Sequence, residues 1–101
     1  MTSKLLFHHA DGCPPCQLIK QALDLVELEP AIVPKFWSKF DIGISLKEGI
    51  KPKIPKLELF TNGHKVSERI GTVSDDPLQE ARSIQEWVAR AESDDLVRAQ
   101  D

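Results

Sequence analysis

The sequence predicts an α/β domain in the order strand, helix, strand, short helix, hairpin, helix, and three observations predict it. A short apolar block, Leu5-Leu6-Phe7, is followed after a turn by apolar residues recurring at three and four positions. Farther on, Lys56-Leu57-Glu58-Leu59-Phe60 and Val66-Ser67-Glu68-Arg69-Ile70 alternate on either side of Asn62-Gly63, a dipeptide suited to a two-residue hairpin turn. The last third returns to helical periodicity behind Asp76-Pro77. At 101 residues the chain is long enough for one hydrophobic core without cross-links.

Residues 4–8 read as a buried strand, because their apolar block is continuous and bounded by polar residues. His9-Ala10-Asp11-Gly12 then makes a turn, and a helix opens at Cys13. Pro14 and Pro15 fit its first turn, where a missing N–H costs nothing because those donors have no intrahelical partner. Leu18, Ile19, Ala22, Leu23 and Val26 give it one apolar face as far as about Leu28, and Pro30 ends it. Ile32 to Asp41, with Phe36, Trp37 and Phe40, reads as a second strand in which Pro34 marks the start or an edge. Sheet packing is the simplest reading of Phe36 and Phe40, and the core or its margin of Trp37 and Trp87.

Ser45 to Ile50 supports one or two helical turns, stopped by Gly49 and Pro52. In the hairpin, Lys65, Ser67 and Arg69 suit an exposed edge, where charge discourages pairing with other chains. For the last helix Asp76 is the expected N-cap, Pro77 the first helical residue and Gln79 the capping-box partner. Leu78, Ala81, Ile84, Val88 and Ala91 form its buried stripe. The domain is therefore expected over 1–92, followed by a polar tail, 93–101, that frays for want of anything to bury.

Bulk properties narrow the function. A net charge of −3 leaves no electrostatic footprint for nucleic acid. No apolar run approaches the roughly 18 residues of a membrane span. The first residues do not read as a secretory leader, so a cytoplasmic protein is expected; a monomer is expected as well.

Cys13-Pro14-Pro15-Cys16 carries the chemistry. These are the only two cysteines in the chain, too few for a disulfide scaffold, and they stand three positions apart where a helix begins. The spacing can close a small disulfide loop, and a helix N-terminus favours the thiolate. Because Pro15 lacks an N–H, the Cys16 N–H is the nearest backbone donor left for the Cys13 sulfur. A zinc site of His8, His9, Cys13 and Cys16 is a weaker reading: neighbouring residues of an extended strand point to opposite faces. His9 is expected to be exposed near the motif and His8 partly buried. Lys47, Lys51, Lys53 and Lys56 make a basic cluster, read first as a solvated loop face.

Three landmarks in order make the sequence resemble the thioredoxin/glutaredoxin superfamily. They are the strand–turn–Cys13-Pro14-Pro15-Cys16–helix unit, Lys53-Ile54-Pro55 directly before a strand, and Leu57-x-Leu59-Phe60-x-Asn62-Gly63 followed by Arg69-Ile70-Gly71. The likeness covers roughly residues 4–92. It implies a minimal thioredoxin-like fold, a four-stranded mixed sheet flanked by three helices and lacking thioredoxin's extra N-terminal strand and helix. It further implies a protein-disulfide reductase without metal or resident cofactor, working through a reversible disulfide. Cys13 would attack and Cys16 resolve the mixed disulfide. Ile54 and a cis Pro55 would position the substrate, with Gly12, Pro14, Pro15 and Gly71 around them. Partners implied are a disulfide-containing protein and, as reductant, thioredoxin reductase or glutathione, the latter meeting Lys53, Ser74 and Asp75.

Several positions depart from the pattern. Phe7 stands where thioredoxins bury an aspartate, Gly12 replaces the tryptophan before the first cysteine, Ala10 occupies the glutaredoxins' basic position, and their Gly-Gly pair is reduced to Gly71. A thioredoxin-fold protein-binding module with a non-catalytic dithiol is the alternative reading.

Overall fold

The computed structural model describes residues 3–100, with side chains described through residue 94. Its elements are β1 (Ser3–Ala10), α1 (Pro14–Leu25), β2 (Ala31–Trp37), α2 (Lys39–Lys47), β3 (Lys56–Thr61), β4 (His64–Ile70) and α3 (Pro77–Gln100). The sheet order is β2-β1-β3-β4. β1 and β2 are parallel, joined through α1, and the other two pairs are antiparallel. This is the four-stranded mixed sheet with three helices that the resemblance implies. No described helix is long and apolar enough to cross a membrane.

One face of the sheet makes the core. Leu5 and Phe7 of β1 stand opposite Leu59 and Leu57 of β3 and so point the same way. Ile19, Ala22 and Leu23 of α1 and Ala81, Ile84 and Val88 of α3 close over them. Each large aliphatic side chain removed from water there contributes roughly 1.5–3 kcal/mol. Edge strand β2 is exposed along most of its length. Pro34 within it lacks an N–H and blunts the edge as a template for further strands.

The second face is polar. His8 on β1 is buried, and its Nδ1 accepts a hydrogen bond of 3.0 Å from Trp37 Nε1–H. Its Nε2 therefore carries the proton and faces Glu58 Oε1. Glu58 in turn meets Lys65 Nζ at 3.0 Å, and Lys65 also binds Glu68. Burial alone would raise the Glu58 carboxyl, but hydrogen bonds from Lys65 and His8, with the Lys56 charge nearby, outweigh it and hold the group below its ordinary value.

The sign of that shift fixes a prediction. A carboxyl held low in the fold contributes stability above its ordinary value of 4.5, and loses it as pH falls through the lower folded-state value. Thermal unfolding is expected to find wild type more stable than Glu58→Gln at neutral pH. The difference should close as the pH falls from 4.5 through the lower folded-state value.

Five elements differ from the sequence prediction, each for an identifiable reason. α1 stops at Leu25 with Val26 in extended conformation. Val26 and Leu28 still pack on the core, so their apolar pattern reports burial rather than helix. β2 ends at Trp37, and α2 starts at Lys39 rather than near Ser45. Ser38 is its cap: the hydroxyl accepts from Asp41 N–H at 3.1 Å while the Asp41 carboxylate accepts from Ser38 N–H at 3.2 Å. Phe40 thereby moves from the sheet to a helix, and it is exposed, as is Phe36.

The hairpin turn at Asn62 (φ 53°) and Gly63 (φ 86°) is as the sequence predicts. A bulge between Leu59 and Phe60 then shifts the register of β4. Ser67 and Arg69, expected on the exposed edge, therefore lie on the core face opposite Leu59 and Leu57. Val66 packs against the core as well, while Ile70 is exposed. Finally, α3 stays helical to Gln100 instead of ending near 92. Its final turns are rich in residues of high helix propensity; residue 101 lies outside the described residues. Leu78, placed in the α3 stripe by the sequence, is also exposed.

Candidate functional site: a disulfide at the head of a helix

Cys13 is the N-cap of α1, extended in φ and ψ, with Pro14 and Pro15 exposed in the first turn. Gly12 precedes it at φ +66°, a left-handed conformation that favours glycine, so the turn out of β1 depends on that residue. Cys13 and Cys16 are joined as a disulfide. The two sulfurs are not equivalent. Cys16 is buried at 3% exposure inside the core, whereas Cys13 is only half-buried. The Cys16 N–H, the nearest backbone donor expected from the sequence, donates to Cys13 Sγ at 3.2 Å.

The Ile54–Pro55 peptide bond is cis. Pro55 is buried, and Ile54, like Cys13, packs against the central cluster. Gly71, at φ +77°, donates its N–H to the Pro55 carbonyl at 2.9 Å, so the loop after the hairpin holds the proline loop by its backbone. Cys13 with Cys16, and Pro55 with Gly71, are thus the pairs the fold brings into contact.

Lys53 and Asp75 are exposed, without ion pair or hydrogen bond among the described residues. Ser74 is committed to capping α3. Its hydroxyl donates to Gln79 Oε1 at 2.8 Å and accepts from Asp76 N–H at 3.0 Å. Gln79 is consequently drawn to Ser74 and not to the Asp76 backbone as the capping-box reading had it. Asp76 still caps the helix, its carboxylate accepting from Leu78 N–H at 3.3 Å.

A groove of about 600 Å³ opens between α1 and β2, and Gly12, Cys16, Gln17 and Lys20 line its α1 side. His9 lies in it, stacked on Phe7 with ring centroids 5.1 Å apart and tilted against Phe36. His9 is half-buried there, less open than the sequence suggested. It and His8 stand on opposite faces of the sheet. Among the described residues no group of three His, Cys, Asp or Glu side chains is arranged to hold a metal.

Sequence reasoning missed Glu80. It is fully buried in α3, pairs with Arg69 of β4, and accepts from Val73 N–H with both carboxylate oxygens, at 3.1 and 3.0 Å. It therefore ties down the loop that carries Gly71. The signal was present: Glu80 lies one turn before Ile84 on the buried stripe, where a carboxylate demands a partner.

A thioredoxin-like fold with its cysteine pair at the head of the first helix is the class that fold and site define. Solved structures agree. Thioredoxin f2 of Chlamydomonas reinhardtii is 26% identical with a TM-score of 0.53, covering 69% of this chain and 67% of that one. The N21Q mutant thioredoxin of Halobacterium salinarum NRC-1 is 22% identical with a TM-score of 0.60, covering 88% and 74%. Spinach chloroplast thioredoxin f, short form, is 15% identical with a TM-score of 0.60, covering 90% and 77%. No family model matches the chain, and no curated protein sequence matches it.

Proposed function

We propose that the protein is a thiol–disulfide oxidoreductase that reduces protein disulfides through Cys13 and Cys16, acting as a cytoplasmic monomer without a resident cofactor. One observation carries the reading: a disulfide at a helix N-terminus whose outer cysteine is half-buried and whose inner cysteine is buried. In the reduced protein the Cys13 thiolate attacks one sulfur of the target disulfide. The target S–S bond breaks, its other sulfur leaves as a thiolate, and a mixed disulfide forms. Cys16, deprotonated, then attacks the Cys13 sulfur and expels the remaining target thiolate. Two electrons have passed to the target, and Cys13–Cys16 is a disulfide again.

The Ile54 backbone pairs with an extended target segment as an added strand, beside Pro55 and Gly71. Thioredoxin reductase is the favoured electron source, because Ala10 supplies no charge for a glutathione carboxylate. Glutathione in that role would meet Lys53, Ser74 and Asp75.

The test is insulin reduction with dithiothreitol recycling, expected to run well above the dithiothreitol background. A rate equal to background would overturn the reading. Incubating the oxidised protein separately with glutathione and with thioredoxin reductase plus NADPH then identifies the donor; faster thiol release with the reductase is expected.

A further inference from the structure

Positive charge is concentrated in one part of this acidic chain. Residues 35–56 hold six lysines against two carboxylates, a net +4, whereas the remainder holds seven basic against fourteen acidic residues. The basic residues elsewhere in the hairpin are neutralised internally: Lys65 by Glu58 and Glu68, Arg69 by Glu80. Among the described residues, Lys47, Lys51 and Lys53 have no carboxylate within 4.0 Å. Their field therefore projects into solvent.

The same region leaves apolar surface uncovered. No residue of α2 is buried. Phe40 and Ile44, one turn apart, are 75% and 43% exposed, and Ile50 past the helix end is 60% exposed. α2 meets the sheet chiefly at edge strand β2, itself exposed along most of its length, which gives these side chains little to pack against. The region also runs into the proposed substrate loop. Lys51 and Lys53 precede Pro55 by four and two residues, so at about 3.5 Å per residue their α-carbons stand within roughly 14 Å of it.

We infer that α2 and the segment from it to Pro55 form a docking surface for an acidic protein partner. Phe40, Ile44 and Ile50 are the apolar anchors, and Lys47, Lys51 and Lys53 the counter-charge. The inference rests on the exchange reading, and names the class of protein whose disulfide is presented to Cys13. Charge complementarity selects the occupant: an acidic, apolar-studded surface gains where a basic one is repelled, and the gain is screened by salt.

Two synthetic peptides with the same internal disulfide test it, one flanked by Glu and Leu, the other by Lys and Leu, with neutral 2,2′-dithiodipyridine as reference. At low ionic strength the reduced protein is expected to turn over the acidic peptide at least about tenfold faster than the basic one. The ratio should shrink toward unity in about 0.5 M salt. Lys47→Glu/Lys51→Glu should lower the acidic-to-reference rate ratio to that of the basic peptide. Phe40→Ser should lower the acidic-peptide rate that persists in high salt. Equal rates for the two peptides, or ratios insensitive to the lysine changes, would overturn the inference.

Docking is also read apart from chemistry, by calorimetric binding of the S-methylated acidic peptide. Loss of all disulfide turnover with that binding intact would refute the exchange reading and leave docking standing; absent binding refutes docking. Self-association abolished by the lysine variant would assign the surface to a second copy of this chain and overturn the inference.

Discussion

Cys13→Ser is expected to reduce insulin at the dithiothreitol background rate, while Cys16→Ser is expected to accumulate a mixed disulfide with its target. The asymmetry follows from burial. A macromolecular disulfide can meet the half-buried Cys13 sulfur, but the Cys16 sulfur, 3% exposed, is met only from Cys13. Removing the outer sulfur therefore removes the reaction. Removing the inner one stops it after the first exchange, with the target held on Cys13. Mass spectrometry of the trapped adduct reads the second outcome.

The Cys13 variant is also the cleaner probe. Cys13 is an N-cap whose sulfur accepts the Cys16 N–H, and a serine hydroxyl is among the best N-cap acceptors. The fold should tolerate it, so lost activity reports chemistry. Cys16→Ser instead places a hydroxyl in an apolar core and should cost about 1–3 kcal/mol unless it finds a partner. Full activity in Cys13→Ser would refute the assigned nucleophile.

The sequence was most legible where local and tertiary demands agree. Pro14 and Pro15 signal a helix start, and the structure has one with Cys13 as its cap. Asn62-Gly63 signals a two-residue turn, and both residues have positive φ. Legibility failed where a long-range pairing overrode the local pattern. Nothing local to β4 announces the bulge that turns Ser67 and Arg69 inward, since it is a property of the β3–β4 register. The aromatic run Phe36-Trp37 and Phe40 suggested one continuous strand, although Ser38-x-x-Asp41, a capping box, stood inside it.

Within the site the chemistry-bearing pair was visible because its spacing is short and the pair is alone in the chain. The supports were harder to see. His8 with Glu58 and Arg69 with Glu80 join residues 50 and 11 positions apart, and each requires the sheet before the partners can meet.

Glu80→Ala is expected to destabilise the fold by about 3–5 kcal/mol. The substitution leaves the Arg69 side chain, only 10% exposed, without its carboxylate, and it strips Val73 N–H of both acceptors. A domain of this size holds about 5–15 kcal/mol in all, so the loss is a large share and should lower the melting temperature by more than about 12 °C. Glu80→Gln keeps a carbonyl for Val73 and removes only the charge, and should fall between. Replacing both partners, Arg69→Met with Glu80→Leu, should recover part of the loss, since apolar residues of similar volume often stand in for a buried ion pair. Chemical denaturation of wild type and the three variants measures each cost; a Glu80→Ala cost below about 1 kcal/mol would show that the pair does not brace the fold. The same bond sets a local consequence. Val73 follows Gly71 by two residues, and Gly71 holds the Pro55 carbonyl, so amide exchange through 71–76 should quicken in Glu80→Gln before global unfolding does.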